Sequence, residues 1–246
     1  MMCSGGDGTL NEVVNGIMSA QKRLPIGYIP CGTMNDFAKC LKIPRNCEKA
    51  AEAIATGKRF GCDIGKIDGK HFTYVACFGA FTDVSYSTPQ QTKNILGNAA
   101  YFLECFKSTL GIKSYHMQIE YDGVLIENDY ILGMVANSTS VAGMKLPGDI
   151  SLEDGAFEVV LIKKPNDILE LQKIITKLIA QDVSTEYIQY FKAGEIKITS
   201  LTPVAWCIDG EYGGESVSVH IENINKAIDI IIPENGEYSE EIAESN

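Results

Sequence analysis

The chain has 246 residues, 45% hydrophobic and 22% charged, enough apolar material to bury the core of one large domain or two modest ones. Its net charge of −11 argues against nucleic acid as a partner, since a phosphate backbone needs a basic footprint, and weakens purely electrostatic attachment to a membrane. Eight cysteines without a Cys-x-x-Cys pair, and three scattered histidines (His71, His116 and His220), indicate neither a zinc site nor a disulfide framework. Reduced, buried thiols in a cytoplasmic protein are expected, because no apolar run reaches the roughly 18 to 20 residues of a membrane span and the first residues do not read as a secretory signal.

Residues 1 to 60 read as an α/β domain. "MMCS" is the end of a strand, "SGGDGT" a turn, and Leu10, Val13, Val14 and Ile17 keep the spacing of one helix face. The design repeats: "LPIGYIP" is a short strand, "CGTMND" a second turn, and "FAKCLKI" a short helix that must stop near Pro44. A third helix, from about Glu48 to Thr56, ends at Gly57.

Residues 61 to 233 have the texture of a β-rich, sandwich-like domain. "KIDGKHF" and "IEYDGVLIE" set Asp-Gly between alternating apolar residues, which predicts hairpins at Asp68 and Asp122. One helical insertion, "NILGNAAYFLECFKSTLG", and one amphipathic segment, "NDILELQKIITKLIAQ", interrupt the strands before "EIKITS" resumes them. Residues 234 to 246 are an acidic tail expected to be frayed or disordered.

Both glycine turns are phosphate-friendly. Glycine lets a ligand come within contact distance of main-chain N–H groups, and the following helix points its unpaired N–H groups and positive dipole end at the same spot. Asp7 is out of place beside phosphate unless a metal ion lies between them, so a Mg²⁺-nucleotide fits better than bare phosphate. Thr9 can either cap the helix or bond a phosphate oxygen. In a parallel sheet both turns leave the same strand edge, where such folds place ligands.

"GGDGTLNEVVNGI" followed by "PCGTMNDFAK" resembles the catalytic domain of the diacylglycerol kinase family, in particular its soluble bacterial lipid kinases, relatives of the sphingosine kinases. The likeness continues in family order through "CDIGKI", "YVACFGAFTDV", "LGNAAYFL", "LEDGAFEVVLI" and "IDGEYGGESVSVHI". NAD kinases and phosphofructokinases share the Gly-Gly-Asp-Gly turn, but "PxGTxND" with an aliphatic helix belongs to the lipid-kinase branch. The resemblance implies an NAD kinase/diacylglycerol kinase-like fold, a Rossmann-like nucleotide domain followed by the β-rich domain, with catalysis in the cleft between them. It also implies about one βαβ unit ahead of the first turn, so the chain is expected to begin inside its domain, with the nucleotide domain incomplete.

The implied reaction moves the γ-phosphate of ATP to diacylglycerol, giving phosphatidic acid. A sphingoid base or other lipid alcohol, or a non-catalytic form that only holds lipid or nucleotide, remains open. The resemblance assigns Gly5, Gly6, Asp7, Gly8, Thr9, Asn11, Glu12, Gly32, Thr33, Asn35 and Asp36 to the nucleotide, and Glu211 and Asp7 to catalysis, Glu211 as the base that takes the lipid hydroxyl proton. Asp36 and Asp63 would order water between the metal and Asp7. A structural Mg²⁺ would be held by the Asp154 carboxylate and the carbonyls of Ser151 and Ala156. Leu96, Tyr101, Phe102, Leu103 and Phe106 lie near an acyl pocket in relatives, or are ordinary core. The face with Leu169, Leu171, Ile174, Ile175, Leu178 and Ile179 packs on the domain or, with Lys173 and Lys177, touches the bilayer. The expected setting is the inner face of the membrane, with a lipid substrate and a possible homodimer.

Overall fold

The computed structural model describes residues 1–79, 113–141, 144–148, 150–180 and 182–234. The insertion carrying Leu96, Tyr101, Phe102, Leu103 and Phe106 lies outside the described residues, as does the tail from residue 235 and the side chain of Ile179. Contacts divide the chain into two units: Met1–Cys62 with the chain from Ala227 onward, and Asp63–Lys226.

In the first unit, β1 (Met2–Gly5) and β2 (Gly27–Pro30) pair in parallel, Met2 opposite Gly27 and Gly5 opposite Pro30. Ile26 adds a parallel bridge to Ile230 of the returning last strand. Helix α1 (Asp7–Met18) buries Leu10, Val14 and Ile17, while Val13 on the flank is half-buried. Helix α2 (Asp36–Cys40) is a single short piece. It stops because Lys42 turns left-handed (φ 54°) and the Ile43 N–H bonds back to the Ala38 carbonyl at 2.9 Å, closing the helix before Pro44.

Helix α3 (Cys47–Thr56) starts one residue before the expected Glu48, because the Asn46 side chain accepts from the N–H groups of Glu48 and Lys49, both at 3.0 Å. Gly57 does end it, though not through a left-handed turn: its backbone is extended (φ −79°). Glycine is required there by crowding, since a Cβ would sit 2.2 Å from the Ile232 carbonyl oxygen and 2.3 Å from that of Ala53.

The second unit is built on antiparallel strands. Strand β3 (Lys58–Ile67) enters it and pairs with β4 (Lys70–Phe72); then come β5 (Val75–Gly79), β6 (Tyr115–Tyr121), β7 (Val124–Ala136), β8 (Ser140–Val141), β9 (Met144–Lys145) and β10 (Phe157–Lys163). Helix α4 (Ile168–Ile179), β11 (Ile188–Ala193), β12 (Glu195–Ile208) and β13 (Glu211–Ile232) complete it. The main sheet runs β11-β10-β7-β5-β12-β13-β3-β4, and β6 pairs with both β7 and β12.

Strands β5 and β6 therefore share one lane between β7 and β12. Gly79 lies opposite Leu132, and Tyr115 opposite Tyr130 on the same strand. Strand β5 ends at Gly79, where φ is +96° and a Cβ would sit 2.1 Å from the Ile131 carbonyl oxygen, and β6 begins at Tyr115.

Asp68-Gly69, Asp122-Gly123 and Asp209-Gly210 all have positive φ at both residues, the geometry of tight two-residue hairpins, as expected at Asp68 and Asp122. The strand "FEVVLIK" is apolar without alternation because both faces are covered. Phe157, Val159 and Leu161 enter a core with Phe72, Phe78, Met117, Ile119 and Trp206. Val160 and Ile162 enter a second core capped by Leu171 and Ile174 of α4, with Ile175 and Leu178 packed against it. Helix α4 thus packs on its own domain, and Leu169 at its start stands clear, 62% exposed.

Candidate functional site

The two glycine turns come together in the first unit. After the parallel pairing of β1 and β2, the Cys31 N–H donates to the Gly5 carbonyl at 2.8 Å, extending the pairing into the turns themselves. A Cβ on Gly32 would sit 2.5 Å from the Gly6 Cα, and one on Gly6 would sit 3.2 Å from the Gly32 Cα. Only two glycines allow main chain to lie on main chain this closely.

The turns are then held differently. Helix α1 is capped by Gly6 with no side-chain hydrogen bond, so the N–H groups of its first turn have no side-chain acceptor from the cap. The second turn is closed from within: buried Asn35, left-handed at φ 51°, accepts from the Gly32 N–H at 2.9 Å and donates Nδ2–H to the Gly32 carbonyl at 2.6 Å. Arg45 ties its outer side by donating to the Thr33 carbonyl at 3.0 Å.

Asp7 sits between the turns. Its carboxylate accepts from the Phe37 N–H at 3.4 Å, and the N–H groups of Asp36 and Asn35 also favour its charged form. Burial nonetheless wins and pushes the Asp7 carboxyl above its ordinary range, with the neighbouring Asp36 charge adding to the rise. Asp7 thus faces the start of α2. Asp36 is buried and paired with Lys39 at 2.8 Å.

Thr9 is not the helix cap. It is the third residue of α1, with its side chain over Gly5, where a Cβ would be 2.7 Å from the Thr9 Cβ. Gly8, Thr9 and Glu12 are exposed, and the Asn11 side chain accepts from Asn15 Nδ2 at 2.8 Å.

Two groups of acidic residues stand in the second unit. Glu211 opens β13 directly after the Asp209-Gly210 turn, opposite Ile208 of β12, and is exposed. The turn is anchored by Asp209, whose carboxylate accepts from the Thr73 N–H (2.8 Å), the Thr73 hydroxyl (2.9 Å) and the Tyr74 and Val75 N–H groups (both 2.9 Å). Sequence reading misses this clamp, because an Asp-Gly pair announces a turn and not what its side chain will hold.

Fully buried Asp63 accepts from the Gly155 and Lys226 N–H groups, both at 2.7 Å, and from Asn225 Nδ2 at 3.0 Å. Burial pushes it up, and the charge of Asp154 adds to that, against these three bonds. Asn225 also donates to the Glu153 carbonyl at 3.1 Å, so the loop from Ser151 to Ala156 is fastened from below. In that loop Asp154 accepts from the Ala156 N–H at 3.2 Å and pairs with Lys192 at 3.3 Å.

Among the described residues no group of three or more His, Cys, Asp or Glu is arranged to hold a metal. The expected set at Asp154 is of another kind, one carboxylate with main-chain carbonyls. Its all-oxygen chemistry fits a hard divalent cation, given that Lys192 has a second partner, Glu158, at 2.9 Å.

The profile of the Diacylglycerol kinase catalytic domain matches residues 1–67, and that of the YegS C-terminal NAD kinase beta sandwich-like domain matches residues 53–232. Diacylglycerol kinases of Staphylococcus aureus strains bovine RF122 / ET3-1 and NCTC 8325 / PS 47 are each 38% identical over 236 residues, 95% of this chain and 74% of theirs. A crystal structure from Bacillus anthracis str. Sterne assigned to the diacylglycerol kinases is 27% identical, with a TM-score of 0.79 over 94% of this chain and 77% of that one. An NAD kinase from Archaeoglobus fulgidus, solved in complex with ATP, is 14% identical with a TM-score of 0.51 over 96% of this chain and 78% of that one, a likeness of fold. By both matched length and identity, this chain belongs to the diacylglycerol kinase family and is a lipid kinase.

Proposed function

We propose that the chain transfers the γ-phosphoryl group of ATP to the hydroxyl of diacylglycerol, producing phosphatidic acid and ADP. The observation that carries this reading is the contact of Gly6 with Gly32 beside the uncapped start of α1, which offers main-chain N–H donors to a nucleotide phosphate. Gly5, Gly6, Gly8, Thr9, Asn11 and Glu12 would line the first turn, and Gly32, Thr33, Asn35 and Asp36 the second. Asp7 would hold the water or metal shell of the phosphates.

Glu211 would take the proton from the lipid hydroxyl as its oxygen bonds to the γ-phosphorus and the bond to ADP breaks. Its exposure right after a turn clamped by Asp209 suits a group that must meet a lipid headgroup. With the phosphates, Mg²⁺ supplies charge neutralisation. At Ser151, Asp154 and Ala156 it would be structural, and we expect it to raise the unfolding midpoint of the wild-type chain but not of Asp154→Ala. Equal midpoints with Mg²⁺ and with EDTA in the wild type would remove that site. The proposed setting is the cytoplasmic membrane surface, where the substrate resides, with the chain as a homodimer; no helix among the described residues is long and apolar enough to cross the bilayer.

The test is a lipid phosphorylation assay with ATP, Mg²⁺ and mixed micelles of diacylglycerol, run in parallel with sphingosine. Phosphatidic acid as the main product supports the proposal. Sphingosine phosphate alone would move the acceptor to a sphingoid base.

A further inference from the structure

Two cysteines that the sequence keeps 16 residues apart meet beside the second glycine turn: Cys31 Sγ and Cys47 Sγ are 3.9 Å apart. Both are exposed, contrary to the expectation of buried thiols, whereas Cys3, Cys62 and Cys207 are buried. Each sits at the end of an ordered element. Cys31 directly follows β2 and is pinned through its N–H to the Gly5 carbonyl, and Cys47 is the first residue of α3, behind the Asn46 cap. The Ser4 hydroxyl stands on the other side of Cys31, 3.4 Å from its Sγ.

We propose that Cys31 and Cys47 are a peroxide-sensitive thiol pair that closes to a disulfide and thereby controls the second glycine turn. A disulfide needs its sulfurs at about 2.05 Å, so the two must approach by roughly 2 Å. Two exposed side chains at element ends can cover that distance by side-chain rotation with a small shift of the turn.

The order of events follows from the pair. We assign the first step to Cys31, because its hydrogen bond and, next, its charge push the Cys47 thiol above its ordinary value and so disfavour the Cys47 thiolate. The Cys31 thiolate attacks a hydroperoxide oxygen, the O–O bond breaks, and the alcohol (water, for hydrogen peroxide) leaves once protonated. Cys31 is then a sulfenic acid. The Cys47 sulfur attacks it, the S–O bond breaks, and hydroxide leaves as water with the Cys47 proton. Two thiols are oxidised to one disulfide and one peroxide is reduced.

The bond would close a loop containing Gly32, Thr33, Asn35 and all of α2. Because Gly32 lies against Gly6, displacing Cys31 must move either Gly32 or its contact. Resting on the nucleotide reading above, we expect the disulfide form to lose phosphoryl transfer and the thiol form to recover it with dithiothreitol.

The experiment treats the full chain with hydrogen peroxide and reads peptide masses, unfolding midpoint and activity in the same samples. A peptide linking Cys31 to Cys47, lighter by two hydrogens, with a midpoint raised by roughly 5 to 10 °C, is expected. Cys47→Ser should keep its basal activity, form no link, and retain activity under peroxide. Sulfinic acid on Cys31 without a link, or a link to Cys3 or Cys40 instead, would overturn the pairing. Full activity in the linked protein would overturn the control of the turn. The mass readout does not depend on kinase activity, so a reduced chain inactive on every lipid alcohol would count against the proposed function and leave the pair standing.

Discussion

The carboxylate of Asp209 accepts four hydrogen bonds from three consecutive residues, Thr73, Tyr74 and Val75. Charge-assisted bonds of this kind contribute more than neutral ones, and Asp209→Ala also leaves the donors without their partner. We expect that substitution to cost about 3 kcal/mol or more in urea denaturation; a loss under about 1 kcal/mol would mean water replaces the clamp. Asp7 and Asp63 work in the opposite sense. Burial raises both, so the folded chain holds their protons more tightly than the unfolded chain does. Their contribution to stability is greatest below the ordinary carboxylate range and is lost as pH rises through their folded values. Asp7→Asn should therefore fold at least as stably as wild type at neutral pH while losing phosphoryl transfer. An Asp7→Asn variant that melts lower than wild type at neutral pH and higher in acid would contradict the sign. The motif residues announce the turns, but not that Asp7 points at the second turn, nor that Asn35 seals that turn from inside, because side-chain direction depends on how closely Gly6 and Gly32 approach.

Among the elements, α4 separates packing from membrane contact. Its N-cap is Asp167, which accepts from the Glu170 N–H at 2.8 Å, and its inner face carries fully buried Ile174. Ile174→Ala should lower stability by about 2 to 5 kcal/mol, Asp167→Ala by about 1, and Leu169→Ala by less than about 0.5. A Leu169→Ala chain that folds normally but no longer sediments with lipid vesicles would show that α4 also touches the bilayer. Helices α1, α3 and α4 and the hairpins at Asp68 and Asp122 are readable because local chemistry fixes them: a periodic apolar face, a cap, an Asp-Gly pair. The shared lane of β5 and β6 is not readable. Nothing local to "VACFG" or "YHMQIEY" tells two strands separated by an insertion that both will lie between β7 and β12.

For the whole molecule, the sequence suggests a boundary near residue 60, and contacts place the change after Cys62. The same contacts return the chain from Ala227 to the first unit, although β13 runs unbroken from Glu211 to Ile232. At the passage from one unit to the other, between Lys226 and Ala227, the strand has neither glycine nor proline, only Lys226 in a left-handed conformation at φ 47°. Family membership is readable because its motifs are main-chain requirements: the two glycine turns must be glycine to touch. The acceptor lipid is not, since it depends on how a pocket is shaped. The measurement that tests the account most directly compares wild type and Glu211→Gln for phosphatidic acid formation from ATP and diacylglycerol, with nucleotide affinity measured alongside. The account expects product from the wild type and a fall of about 10²-fold or more in the variant at unchanged ATP affinity. An equal rate from both chains would contradict the role of Glu211, and no product from a folded, reduced wild type would contradict the reaction itself.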